Sequence, residues 1–158
     1  LPRIIKAYKD AGERRLAPYL AELLYDTVLH AQVAAPNRYG GVLSGVDAVV
    51  FVPATAAAFR RRGFDHMEAI ARSFCDLSGV PLLDALVKYG HGDQRELGRD
   101  ERREHARGMY ETVEDVHGRR LLLIDDVITT GATMAAASAE LKRAGAAAVD
   151  GLAIARVR

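Results

Sequence analysis

The sequence predicts an α/β domain with a mostly parallel central sheet flanked by helices, and three observations carry that reading. Arg120–Asp126 (RLLLIDD) is an apolar run that ends in two carboxylates. Together with a following helical pattern and a second apolar run at Ala148–Ile154 it spans about 35 residues, the length of one parallel strand–helix–strand crossover. A further run, Val46–Val52 (VDAVVFV), is short, rich in β-branched residues and closed by Pro53. That is the pattern of a strand buried on both faces. A length of 158 residues is that of a single domain over 1–158, large enough to bury a core without disulfide or metal staples.

The remaining elements follow in chain order. Leu1 to Leu29 reads as helix broken near Gly12, with Leu16, Leu20, Leu23, Leu24 and Val28 at three- and four-residue spacings. Pro36-Asn37 and Gly40-Gly41 mark a loop. After the Val46–Val52 strand, a loop carries Arg60, Arg61, Arg62 and Gly63. Asp65 then caps a helix, with Glu68 three places on as in a capping box, Met67, Ile70, Phe74 and Leu77 as the apolar face, and Gly79 at its end. Leu82–Lys88 is a short strand, and Tyr89–Arg107, dense in Arg and Glu, is an exposed loop with a helical turn or two. Tyr110–Val113 forms a strand before a turn at His117-Gly118. A helix from Thr133 to Ala144 carries Met134, Ala137 and Leu141 inward, and Gly145 ends it.

Composition narrows the function classes. The formal charge is +1, far less basic than a dedicated nucleic-acid domain. Within the basic set, 18 Arg stand against 4 Lys, a supply of planar phosphate donors. Cys75 is the single cysteine, so a multi-thiolate zinc site is excluded within the chain. No membrane span or signal-peptide pattern is present, and a cytoplasmic protein is expected.

Chemistry concentrates where the central strand ends. In parallel sheets, ligands sit beyond the carboxyl ends of strands, beside helix N-termini. Asp125, Asp126, Val127, Ile128, Thr129, Thr130, Gly131, Ala132 and Thr133 occupy that place. Gly131 permits a tight turn that gathers backbone N–H groups, and the threonines add hydroxyls ahead of a positive helix end. This describes a monophosphate cradle; neither G-x-G-x-x-G nor a P-loop pattern occurs. The adjacent carboxylates suit vicinal sugar hydroxyls, or a divalent cation shared by sugar and diphosphate. Together they describe a ribose 5-phosphate site.

The run LLLIDDVITTGAT resembles the phosphoribosyl-pyrophosphate signature of type I phosphoribosyltransferases. IIKAYKDAGERRLAPYLAELL, FVP, RRRGFDHMEAIAR, DQREL and LKRAGAAAVDGLAIAR, in that order, resemble the ComF family of competence-associated phosphoribosyltransferase-like proteins, over essentially the whole chain. The resemblance implies a type I phosphoribosyltransferase-like fold with a small hood and flap. It also implies that Asp125 and Asp126 contact the ribose hydroxyls and, indirectly, magnesium, and that Thr129–Thr133 hold the 5-phosphate. Arg60, Arg61 or Arg62 would face the pyrophosphate, and Asp93–Arg107 would form the mobile flap over the acceptor. The family's four-cysteine zinc module would lie upstream of Leu1, absent from this chain. Where the family has Asn-Gln, this chain has Asp65-His66, and His105 replaces a frequent hood Asn; the two histidines would alter the acceptor pocket.

Function then divides into classes. The first is a protein that binds phosphoribosyl pyrophosphate with magnesium, transfers its sugar phosphate and serves DNA uptake beside a helicase-like partner and single-stranded DNA. The alternatives are a nucleobase-salvage phosphoribosyltransferase of nucleotide metabolism, or a non-catalytic accessory or sensor of the same ligand. A homodimer is among the expected assemblies.

Overall fold

The computed structural model describes residues 2–90 and 108–157. Helix α1 (Pro2–Ala11) is followed by a 3-10 turn (Arg14–Leu16) and α2 (Ala17–Ala34). A short helix α3 (Pro36–Tyr39) then leads to β1 (Ala48–Phe51). Next come α4 (Ala56–Arg62), α5 (His66–Ser78), β2 (Leu86–Lys88), β3 (Tyr110–Thr112), β4 (Arg120–Ile128), α6 (Ala132–Arg143) and β5 (Ala148–Arg156). The expected break in the opening helix falls at Gly12, which takes a left-handed conformation. The expected lid, Asp93–Arg107, lies outside the described residues, as do His91 and His105.

Two corrections concern local structure. The expected loop at Arg60–Arg62 is the last turn of α4, whose start Thr55 caps through its hydroxyl to Ala58 N–H. Gly63 ends α4 at φ 74°, a conformation costly to any residue with a Cβ. Pro36–Tyr39 is also helical, because Pro36 sits at the first helical position, where its missing N–H costs nothing.

The sheet is parallel, in the order β1-β4-β5, and β2 pairs with β3 as a separate antiparallel ribbon. Side chains alternate across β4 and build two cores. Leu122 and Ile124 pack with α1, α2 and α5 through Tyr8, Leu20, Ile70 and Phe74. Leu121 and Leu123 pack on the other face with Ala137 and Leu141 of α6 and with Tyr110. Asp65 caps α5 as expected, accepting from the N–H groups of Met67 and Glu68. Its other oxygen accepts from Ala54 N–H at 2.7 Å and so ties the end of β1 to the start of α5. Glu68 turns away from the cap to pair with Arg72.

Phe74 is fully buried between α2 and the sheet. Its replacement by Ala is expected to cost about 3–5 kcal/mol in urea unfolding. Val33→Ala, at a position 83% exposed, should change stability by less than about 0.5 kcal/mol.

Candidate functional site around the end of β4

Strand β4 reaches its carboxyl end with two buried acids, Asp125 and Asp126. The strand continues to Ile128, so the alternation that separates Leu123 from Ile124 also separates these two carboxylates. They do not form a paired clamp.

Asp126 turns toward the helical layer of α1 and α5. Its Oδ2 receives the His66 ring Nε2 at 2.8 Å and forms an ion pair with the Lys9 ammonium. Burial alone would push this carboxyl up, but the hydrogen bonds from His66 and Lys9 outweigh it and hold Asp126 at about 2. Arg62 approaches the other ring nitrogen of His66, Nδ1, at 3.4 Å. With a guanidinium N–H donating there, the ring proton sits on Nε2 and donates to Asp126. Tyr8 completes the anchor by donating its hydroxyl to the His66 carbonyl at 2.7 Å. His66 therefore belongs to a buried chain of contacts at the sheet end.

Asp125 turns toward α6 and the β2–β3 ribbon. It lines a small cup together with Val127, Ile128, Thr129, Gly131, Ala132, Thr133 and Met134. Its Oδ1 accepts the Asp126 N–H at 2.8 Å. Burial first, and the neighbouring Asp126 charge second, push its carboxyl up to about 6. Lys9 and Lys88 pull in the opposite direction, with less effect. Tyr110, on the same side, is raised to about 12 by burial and by Asp125, and its buried hydroxyl has no partner among the described residues.

The turn between β4 and α6 is built as the spacing predicts. Gly131 has φ 83° and caps α6 without a side-chain bond, while Thr130 Oγ1 accepts the Ala132 N–H at 3.3 Å. The next N–H groups of the first helical turn have no intrahelical acceptor and are open to an external one. Thr129 and Thr130 are exposed, and Gly131 and Thr133 half-buried.

Of the arginine run, Arg62 alone reaches this constellation; Arg60 and Arg61 are exposed along α4. Sequence reasoning missed Lys9 altogether. It lies within the ComF-like opening segment, which signalled a resemblance but no role for that side chain. No group of three or more metal-ligating side chains occurs among the described residues, and Asp126 is already engaged. Of the two carboxylates, Asp125 is the one left available to a divalent cation.

Comparison with known proteins agrees with this architecture. Residues 49–156 match the model of the phosphoribosyl transferase domain. DNA utilization protein YhgH of Escherichia coli K12 is 29% identical over 157 residues, covering 95% of this chain and 64% of the relative. Ribose-phosphate pyrophosphokinase of Vibrio parahaemolyticus is 28% identical over 145 residues, 91% of this chain and 45% of that one. The chain thus spans just under two thirds of the YhgH relatives it matches. Among solved structures, glutamine phosphoribosylpyrophosphate amidotransferase of B. subtilis superposes with a TM-score of 0.55 at 18% identity, over 87% of this chain and 26% of that one. The allosteric regulatory enzyme of purine biosynthesis gives 0.54 at 23% identity, over 89% and 26%. These two show a shared fold of the type I phosphoribosyltransferase kind. The matched model runs from β1 through β5, well over half of the sequence, and the chain belongs to the phosphoribosyl transferase domain family.

Proposed function

We propose that this chain binds 5-phosphoribosyl 1-pyrophosphate with magnesium at the carboxyl end of β4 and serves DNA uptake or utilization. The observation that carries the reading is the cup at the β4–α6 turn. It combines open helix-N-terminal N–H groups and threonine hydroxyls with one buried carboxylate, Asp125. The 5-phosphate takes the Thr129–Thr133 turn, and Asp125 accepts a ribose hydroxyl. Arg62, at the far side of His66, lies toward the diphosphate, with Arg60 and Arg61 supplying outer charge. Asp126 acts through position: fixed by Lys9 and His66, it holds the end of β4 in place.

Phosphoribosyl transfer would displace pyrophosphate from the anomeric carbon of the sugar. Orientation of the donor, charge neutralisation by arginine and exclusion of water are the protein's tasks in such a step. Magnesium, when bound, neutralises charge on the leaving diphosphate. The orphaned Tyr110 hydroxyl beside Asp125 supports a polar ligand on that side. The association with DNA is supported by the name of the YhgH relatives, and its test is a shift of single-stranded DNA over a salt series. Direct backbone contact must weaken as salt rises.

Calorimetry with phosphoribosyl pyrophosphate and magnesium tests the site. Arg62→Gln should weaken binding and flatten its salt dependence more than Arg60→Gln does. Equal effects would remove Arg62 from the site.

Asp125→Asn is expected to act with opposite signs on binding and stability. The folded carboxyl titrates near 6 and the unfolded one near 3.8, so the folded state holds its proton more tightly. Stability from this group is therefore complete below about pH 4 and falls as pH rises through 6. The Asn variant escapes that loss and should be more stable than the parent at pH 7, by on the order of 2 kcal/mol. Donor affinity should fall in the same variant, and unchanged affinity would sink the assignment.

A further inference from the structure

Among the described residues, strand β5 is an open edge of the sheet. On the opposite edge, β1 is covered: Val49 exchanges backbone hydrogen bonds with Pro81 and Leu83. Every residue of β5 is at least partly exposed, whereas β1 is buried throughout. Val157 N–H turns back to Ile128 of β4. Pleating then directs the odd-numbered backbone groups of β5 toward β4 and the even-numbered ones, at Asp150, Leu152, Ile154 and Arg156, outward. An edge of nine residues with no proline, no lysine and no bulge that blocks pairing is a template for another strand.

The sequence of β5 is complementary to itself when reversed about Ala153. Asp150 then opposes Arg156, Leu152 opposes Ile154, Gly151 opposes Ala155, and Val149 opposes Val157. Each pair matches in charge, size or polarity. Two copies related by a two-fold axis normal to the sheet can pair only in registers that keep each residue on its own face. Moving the centre to Leu152 sets Asp150 against Ile154, and moving it to Ile154 sets Leu152 against Arg156. The register about Ala153 is also the one that makes 150/156 and 152/154 hydrogen-bonded pairs through their outward backbone groups. Neither Asp150 nor Arg156 has an ion-pair partner among the described residues. A groove of about 620 Å³ opens beside the same strand, between α2 and Asp150–Leu152, on the face where the partner's α2 would approach.

We propose that this chain forms a two-fold homodimer by antiparallel pairing of β5 with β5 of a second copy, centred on Ala153, which would make one continuous sheet of six strands. The inference is independent of what the β4–α6 turn binds.

Sedimentation over a concentration series reads the assembly directly, and a concentration-dependent dimer is expected. Asp150→Arg sets Arg against Arg twice per interface and should raise the dissociation constant about tenfold or more. Arg156→Asp should do the same, and the double exchange should restore affinity. In a Cys75→Ser background, Ala153→Cys faces its own copy in a non-hydrogen-bonded pair, about 4.5 Å between Cα atoms. Oxidation should link it into a dimer, while Ala136→Cys on the exposed side of α6 should not link. A monomer at all concentrations, a dimer indifferent to the charge exchange, or linkage no better at 153 than at 136 would each overturn the proposal.

Discussion

One buried carboxylate holds the carboxyl end of β4 to the helices that pack against it. Asp126 is almost fully enclosed, and an ionised carboxylate in that setting costs several kcal/mol unless its charge and lone pairs are met. Lys9 from α1 and His66 from α5 meet them at the same oxygen. Removing either partner would leave a charge that the core does not tolerate, so the three segments are bound to one arrangement. Tyr8 and Arg62 extend the constraint, the first through the His66 carbonyl and the second through its free ring nitrogen. The first helix is thereby coupled to the carboxyl end of β4, although it precedes the matched family region.

The anchoring of Asp126 also defines its neighbour. Two adjacent acids at a strand end look equivalent in sequence, yet they stand in opposite electrostatic states. Asp126 is held ionised at about 2, while Asp125, desolvated and facing the Asp126 charge, rises to about 6. This division follows from strand geometry. One residue of separation turns one carboxylate to the helical layer with its cations and the other to the turn where a ligand would sit.

Much of this was legible in the sequence because it is local. The apolar run of β4, the glycine turn and α6 fall within 24 residues and obey rules of strand burial and helix capping. Asp65 as a cap of α5 and Gly79 as its end are equally local. What escaped is long-range or cooperative. Lys9 meets Asp126 across most of the chain, and periodicity marks Lys9 only as one polar residue on an amphipathic helix. His66 stood out as a departure from the family's pattern, but its partner is 60 residues away. The arginine run looked like a loop because its charge drew attention from Thr55 and the alanines that start a helix before it.

The choice of cation fits this geometry. Lysine is scarce here, 4 residues against 18 arginines, yet Lys9 and Lys88 both lie within electrostatic reach of Asp125. A guanidinium presents a planar fork that asks for two acceptor oxygens, whereas an ammonium is a compact point charge. At Asp126 one oxygen is shared between a ring N–H and a cation, and a fork would compete with His66 for it. Lysine adds charge there without displacing the imidazole. Arg62, by contrast, meets the His66 ring nitrogen rather than a carboxylate. The near-neutral total therefore conceals a local division at the end of β4, where Lys9 stabilises the Asp126 carboxylate and Arg62 meets the His66 ring.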